Sequence, residues 1–106
     1  MEDLGSGVLL PTGDWAEGHH EPMPSEVLKD GADIVCFSGD KLMGGPQSGI
    51  IAGKARHVQA LKKHPFFRAL RCDKLVLSAL QSTAEQYLHD QAGTLPLHRM
   101  LTADLA

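Results

Sequence analysis

The sequence predicts an α/β fold, in which short buried strands alternate with helices. Residues 32–37 and 49–53 form short apolar runs without alternation, as in strands that are covered on both faces. Residues 73–89 instead place their apolar side chains at helical spacing. Two or three strands cannot complete a sheet of this kind, so we predict a truncated sheet that forms a slice of a larger domain.

The first thirty residues are predicted to be mostly loop. Residues 3–7 are rich in glycine, and residues 8–10 are predicted to form a short buried strand. Proline, glycine and histidine are then frequent, which is typical of a loop. Ser25 is the predicted N-cap of a short helix that reaches Lys29, and Gly31 is placed to stop it.

Three further helices are predicted. Residues 55–63 look helical, and Pro65 should end that helix because proline lacks the backbone N–H. The longest helix covers residues 73–89, and another begins near residue 95. The side chains expected on the core-facing side of the longest helix are Val76, Leu80, Thr83, Ala84, Tyr87 and Leu88.

Length and composition exclude several classes of protein. A chain of 106 residues suits one domain at most. No apolar run approaches the roughly 20 residues of a membrane span, and the acidic N-terminus does not resemble a signal peptide. We therefore expect a cytoplasmic protein without a membrane partner. The two cysteines fit no metal or redox spacing and are expected to be reduced thiols.

Charge is spread unevenly along the chain. The net charge is −3, yet residues 54–74 contain seven Lys or Arg and one acid. This asymmetry favours an anionic partner such as RNA, although a solvated helix face is the commoner explanation. His19, His20 and Glu21 stand next to one another without a further ligand cluster, so no metal site is predicted.

Lys41 is the candidate reactive residue, in the stretch FSGDKLMGG. It follows the buried run 32–37 directly, where α/β folds place their ligands. Gly44 and Gly45 permit close approach of the backbone to a ligand. A phosphate-binding Walker loop is excluded, because its lysine follows the glycines. A desolvated lysine can form a Schiff base with a carbonyl cofactor, usually pyridoxal phosphate, whose ring nitrogen needs a carboxylate such as Asp3.

Two longer stretches carry a family resemblance. GADIVCFSGDKLMGGPQSGIIAGK and HPFFRALRCDKLVLSAL closely resemble the bacterial selenocysteine synthases, the L-seryl-tRNA(Sec) selenium transferases. SGDKLMGGPQSG is the most specific part, and RALRCDKL adds independent weight. The resemblance runs from EDLGSG to LPLHRML, nearly the whole chain, whereas the family's enzyme is several times longer.

The resemblance implies a fold and a set of partners. The chain would be an internal fragment of a pyridoxal-phosphate-dependent, aspartate aminotransferase-like (type I) enzyme. Residues 1–93 would be the C-terminal part of its large domain, and residues 94–106 would begin the small C-terminal domain. Seryl-tRNA(Sec) and selenophosphate would be the substrates, and the family forms rings of dimers. Activity of this chain alone is not expected, because the rest of the cofactor site is missing.

The resemblance also implies residue roles. Lys41 would bear the cofactor, Asp3 would pair with its pyridine nitrogen, and Ser38 would contact its phosphate. Asp40 would assist proton transfer during elimination. Arg68 and Arg71 would hold an anionic group of the substrate or selenium donor, and their spacing places them on one face if the segment is helical.

Two alternatives remain open on the sequence. The first is a related pyridoxal-phosphate-dependent lyase that acts on a small amino acid without tRNA. The second is a remnant without catalysis that acts as an interaction module. The SGDKLMGGPQSG stretch favours the selenium transferase, and the presence of Lys41, Asp3, Arg68 and Arg71 argues against a remnant.

Overall fold

The computed structural model describes residues 1–12 and 20–103. Within them, three strands and five helices form a mixed α/β arrangement, which confirms the predicted class at that level. The elements in chain order are β1 (Glu2–Gly5), α1 (Pro24–Lys29), β2 (Ile34–Ser38), β3 (Gly49–Gly53), α2 (Ala55–Lys63), α3 (Pro65–Leu70), α4 (Lys74–Leu88), a 3-10 turn (Ala92–Thr94) and α5 (Pro96–Leu101).

The sheet has the order β1-β2-β3, with β2 in the centre. β1 runs parallel to β2, and Asp3 pairs with Cys36. β3 runs antiparallel to β2, and Gly49 pairs with Ser38. Because β1 and β2 are parallel, the loops after both strands emerge at the same edge of the sheet.

The core lies on one face of this sheet. Val35 and Phe37 of β2 point into it and are joined by Val27 of α1 and by Met43. Side chains alternate along a strand, so Cys36 and Ser38 point to the opposite face. That face is open among the described residues, because Ile51, the partner of Cys36 on β3, is 49 % exposed.

Two strand predictions need correction. The strand predicted at residues 8–10 is absent, although Val8 is fully buried; the first strand is instead β1, in the glycine-rich opening. β3 has the predicted bounds but is not buried on both faces, because it is an antiparallel edge strand whose residues alternate between exposed and partly buried. Short apolar runs do not distinguish an edge strand from a central one.

The helix predictions hold except at the ends. α1 begins at Pro24, with Met23 as the N-cap, so Ser25 as the cap is wrong. Proline is favoured at the first helical position because it has no N–H to leave unpaired. The Glu26 carboxylate accepts a hydrogen bond of 3.0 Å from Met23 N, and this bond is the main reason that the pKa of Glu26 is lowered. Gly31, with φ of +111°, follows α1 as predicted.

α2 has the predicted bounds, and Pro65 stands at the start of α3. α4 begins one residue after Asp73, whose carboxylate accepts a hydrogen bond of 2.9 Å from Val76 N. Thr83 is buried on the core side of α4, as predicted. Leu88 is 80 % exposed, so its assignment to the core is wrong.

Several large apolar side chains of α3 and α4 face water. Phe66 and Leu70 of α3 are 69 % and 79 % exposed, and Leu75 of α4 is 82 % exposed. None of the helices described has the length and apolar character needed to cross a membrane.

Candidate functional site

A tight turn, residues 39–48, carries Lys41 away from the end of β2; we call it the Lys41 turn. Gly39 N donates a hydrogen bond of 2.9 Å to Ser48 O, and Gly45 N donates one of 2.8 Å to Gly39 O. Gly44 N donates to the carbonyl oxygen of Lys41 at 2.9 Å. A side chain at Gly39 would collide with the Ser48 hydroxyl, so only glycine lets the two arms of the turn approach this closely.

The loop after β1 supports this turn. Leu42 N, next to Lys41, donates a hydrogen bond of 2.9 Å to Ser6 O. Gly7 has φ of +67°, and a Cβ there would lie 2.5 Å from Ser38 O. The structure therefore joins the loop that follows Asp3 to the turn that carries Lys41, as expected at the shared edge of two parallel strands.

Asp3 lies on the open face of the sheet. Its Oδ1 accepts a hydrogen bond of 3.0 Å from Gly5 N. Burial is the main cause that raises the pKa of the neighbouring Cys36 thiol, and the charge of Asp3 and its hydrogen bond to the thiol raise it further. Ser38, two residues after Cys36, lies on the same face. Asp3 and Ser38 thus share one face of the sheet, beside the turn of Lys41.

Lys41 and Asp40 are exposed in the turn, and Ser38 is partly buried. The described residues therefore do not bury the Lys41 amine, and the desolvation expected from sequence is not provided by them. What they provide is the backbone frame that holds Lys41 at the sheet edge.

A comparison with protein-family models identifies the chain. The model described as L-seryl-tRNA selenium transferase matches residues 1–106. The chain belongs to this family. The resemblance carried by the SGDKLMGGPQSG stretch is thereby confirmed.

Curated members of the L-seryl-tRNA selenium transferase family are about half identical to this chain. The L-seryl-tRNA(Sec) selenium transferase of Hyphomonas neptunium is 52 % identical over 104 residues, which are 96 % of this chain and 22 % of that protein. The Alkaliphilus metalliredigens protein of the same name is 47 % identical over 107 residues, 99 % of this chain and 23 % of its own length. The Escherichia coli O45:K1 protein is 49 % identical over 104 residues, with 96 % and 22 % covered. The chain thus spans about a fifth of these relatives.

The two arginines of this family member do not share a helix face. Arg68 lies in α3, but α3 ends at Leu70, and Arg71 has extended backbone with φ of −64° and ψ of 145°. The expectation that both project from one helical face is therefore wrong. Arg71 and Asp73 both have extended backbone, and Asp73 caps the next helix.

Arg71 lines a cavity of about 710 Å³ between β3, α3 and α4. Ser48 and Gly49 also line this cavity, and Gly49 pairs with Ser38 across the sheet. Arg71 thus shares a cavity with the residues that follow the Lys41 turn, whereas Arg68 does not line it. Both arginines are exposed.

Two residues of the site were not anticipated as such. Tyr87 was assigned only to packing, and His98 had no predicted role; both contact the Lys41 turn. Tyr87 lies on the predicted apolar face of α4, but no sequence signal marks a contact that joins positions 44 or 56 residues apart.

No group of three or more metal-ligating side chains occurs in the described part of the chain. His19 lies outside the described residues. His20 is exposed, and its Nε2 is 3.1 Å from Glu26 Oε2.

Proposed function

We propose that this chain supplies the lysine-bearing part of a pyridoxal-phosphate-dependent enzyme that converts seryl-tRNA(Sec) to selenocysteinyl-tRNA(Sec) with selenophosphate. The observation that carries the proposal is the hydrogen bond from Leu42 N to Ser6 O, which ties the turn of Lys41 to the loop after Asp3. The family match over residues 1–106 supplies the reaction. The relatives that bear this name support the tRNA substrate.

The finer fold follows from the same proposal. The three strands and their helices form part of an aspartate aminotransferase-like (type I) large domain, which we assign to residues 1–93. Residues 94–106 begin the small C-terminal domain. The 3-10 turn Ala92–Thr94, where α4 has ended and α5 has not begun, supports a division at this place.

The donor set at the sheet edge fits pyridoxal phosphate. A carboxylate, a hydroxyl and a primary amine are the groups needed for its ring nitrogen, its phosphate and its aldehyde, and Asp3, Ser38 and Lys41 provide one each. Gly7 and Gly39 let the chain segments at this edge approach closely, because a Cβ at either position would collide with neighbouring atoms. When bound, the cofactor withdraws electrons from the α-carbon of the serine moiety.

The chain's own residues move the protons. The Lys41 amine, when it is not bonded to the cofactor, takes the α-proton of the serine moiety. The β-hydroxyl leaves as water after it receives a proton, and Asp40, next to Lys41, assists that transfer. Selenium from selenophosphate then bonds to the β-carbon, and Lys41 returns a proton to the α-carbon. Water cleaves the Se–P bond, and phosphate leaves.

Arginine is suited to the selenium donor. A guanidinium presents parallel N–H groups that match the oxygens of a phosphate. Arg71, which lines the cavity beside Ser48, is the principal candidate to bind selenophosphate, and Arg68 assists from α3. Replacing Arg71 with alanine should raise the KM for selenophosphate more than the same change at Arg68.

The whole enzyme is proposed to be a cytoplasmic homo-oligomer, a ring of dimers. The exposed Phe66, Leu70 and Leu75 support burial against further protein. Because Lys41 is exposed in this chain, we expect the 106-residue chain to have no turnover by itself.

A chimera tests the function. This chain would replace the matching segment of the Escherichia coli relative, and formation of selenocysteinyl-tRNA(Sec) from seryl-tRNA(Sec) and selenophosphate would be measured. Lys41→Ala should lower turnover by about a thousandfold or more, because both the anchor and the base are lost. Lys29→Ala, at the exposed end of α1, is the matched control and should leave turnover unchanged.

The outcomes separate the open alternatives. Full turnover in the Lys41→Ala chimera would overturn the proposal. Turnover of free serine without turnover of seryl-tRNA(Sec) would favour the lyase, and a parent chimera without cofactor binding would favour the remnant.

A further inference from the structure

Tyr87 of α4 and His98 of α5 contact the backbone of the Lys41 turn. Tyr87 Oη lies 2.6 Å from Met43 O, and His98 Nε2 lies 3.2 Å from Leu42 O. The two side chains also contact each other, with Tyr87 Oη 3.1 Å from His98 Nε2. Their rings stand edge to face, with centroids 5.8 Å apart and an interplanar angle of 79°.

The numbers of available donors and acceptors determine the direction of these hydrogen bonds. The carbonyl oxygens of Leu42 and Met43 only accept, so the Tyr87 hydroxyl donates its one proton to Met43 O. His98 Nε2 must then carry a proton, which it donates to Leu42 O while Tyr87 Oη accepts a share. The arrangement therefore requires a hydrogen on Nε2 of His98.

The environment makes this arrangement stable. His98 is buried, with 4 % of its surface exposed, in a helix of only six residues. Burial also raises the pKa of Tyr87 to about 12, so its hydroxyl remains a donor at neutral pH. A buried donor that loses its acceptor is costly, so each partner restrains the other.

Leu42, the residue directly after Lys41, is held on both sides. Its N–H donates to Ser6 O in the loop after β1, and its carbonyl oxygen accepts from His98 in α5. The Lys41 carbonyl oxygen is itself bonded to Gly44 N. The peptide unit between Lys41 and Leu42 is thus bonded to the loop after β1 and to Gly44, and the next peptide unit, between Leu42 and Met43, is bonded to the last helix.

We propose that Tyr87 and His98 are positioning residues for Lys41. They do not touch its amine; they act through the carbonyl groups of Leu42 and Met43. This inference rests on the proposed function for its catalytic meaning, because it is the proposal above that makes the direction of the Lys41 amine important. α5, near the C-terminus of the chain, thereby helps to hold the backbone next to Lys41, near its middle.

Hydrogen exchange of the 106-residue chain tests the positioning without any cofactor. Tyr87→Phe and His98→Leu each remove one donor to the turn and retain the apolar part of the side chain. Each should speed exchange of the amides of Leu42, Gly44 and Gly45 about fivefold, as expected for one net hydrogen bond. The amides that pair β2 with β3 should change less.

Two further variants provide controls. Thr94→Ala removes a hydroxyl that contacts Gln86 Oε1, in the same helix as Tyr87, at 2.8 Å. This hydroxyl does not touch the Lys41 turn, so exchange of the turn amides should stay unchanged. His98→Gln restores an N–H donor and should recover part of the protection lost in His98→Leu. Unchanged turn amides in both donor variants, or an increase equal to that of the β2–β3 amides, would overturn the inference.

The chimera supplies the functional readout. Tyr87→Phe and His98→Leu should lower kcat several-fold and leave the KM for seryl-tRNA(Sec) unchanged, and His98→Gln should recover kcat. An unchanged kcat in the donor variants would refute a role for Tyr87 and His98 in catalysis. If Lys41→Ala retains turnover, the proposed function fails, whereas the exchange result still decides whether Tyr87 and His98 hold the turn.

Discussion

Asp3 and Cys36 face each other across the parallel pair of strands β1 and β2, and the charge of the Asp3 carboxylate helps to raise the pKa of the thiol. The pair lies on the open face of the sheet, where Ser38 also lies. It provides a means to check the position of Asp3, the proposed partner of the cofactor's ring nitrogen, in the absence of cofactor.

Asp3→Asn should make Cys36 more reactive. Burial is the main cause of the raised pKa of the thiol and persists in the variant, but the negative charge that also raises it is removed. The thiolate fraction at about pH 8 therefore rises, and alkylation by iodoacetamide should be severalfold faster. Mass spectrometry would follow Cys36, with Cys72 as the internal control. Equal rates at Cys36 in both proteins would show that the carboxylate does not face the thiol.

Gly7→Ala should destabilise the chain more than Gly5→Ala. Both glycines have positive φ, +67° and +63°, so alanine carries a backbone cost of about 1–2 kcal/mol at either position. Only at Gly7 would the new Cβ also collide with Ser38 O. The total loss there should reach about 3 kcal/mol. Urea unfolding measures both, and equal losses would contradict the close approach of this loop to the end of β2.

Stability should fall in strong alkali because of Tyr87. Its pKa is raised from 10.0 to about 12 by burial, so the unfolded chain releases the phenolic proton first as the pH rises. The contribution of Tyr87 to the free energy of unfolding should therefore be constant below about pH 10 and decline between 10 and 12. Allowing for solvent screening, the decline due to this group is about 1 kcal/mol. Tyr87→Phe should remove that component, which thermal unfolding across this range would detect; identical pH profiles would refute it.

The basic surface of α2 should contact tRNA phosphates in the chimera. Lys62 and Lys63 are exposed in the last turn of α2, in the segment 54–74 that is rich in basic residues. Changing both to alanine should lower the slope of log K against log salt by about 1 to 2 for tRNA(Sec). Lys54→Ala is the control, since its ammonium already pairs with Asp33. An unchanged slope in the double variant would support a merely solvated helix face.

The sequence predicted the elements whose signal is local. The bounds of α2 and β3, and those of α4 to within one residue, follow from periodicity and from glycine and proline within a few neighbours. β1 was missed as an element because four residues that include an acid and a glycine lack the usual strand composition. Val8 is buried by tertiary contact and needs no strand.

The turn around Lys41 was predictable from the sequence, whereas its contacts with other elements were not. Glycines and polar groups around Lys41 mark the turn, and the family resemblance adds Asp3 and Ser38. The change of backbone direction at Arg71 depends on where α4 begins. The contacts of Tyr87 and His98 with the turn depend on how the helices pack on the sheet, and separations of 44 and 56 residues leave no local trace.

The exposed side chains of Phe66, Leu70 and Leu75 have a practical consequence for anyone who produces this polypeptide. Together with the edge strand β3, they form a surface prone to association with neighbouring molecules in a concentrated lysate. A highly charged fusion carrier should therefore raise the soluble yield of the isolated segment in bacterial expression above that of the unfused segment.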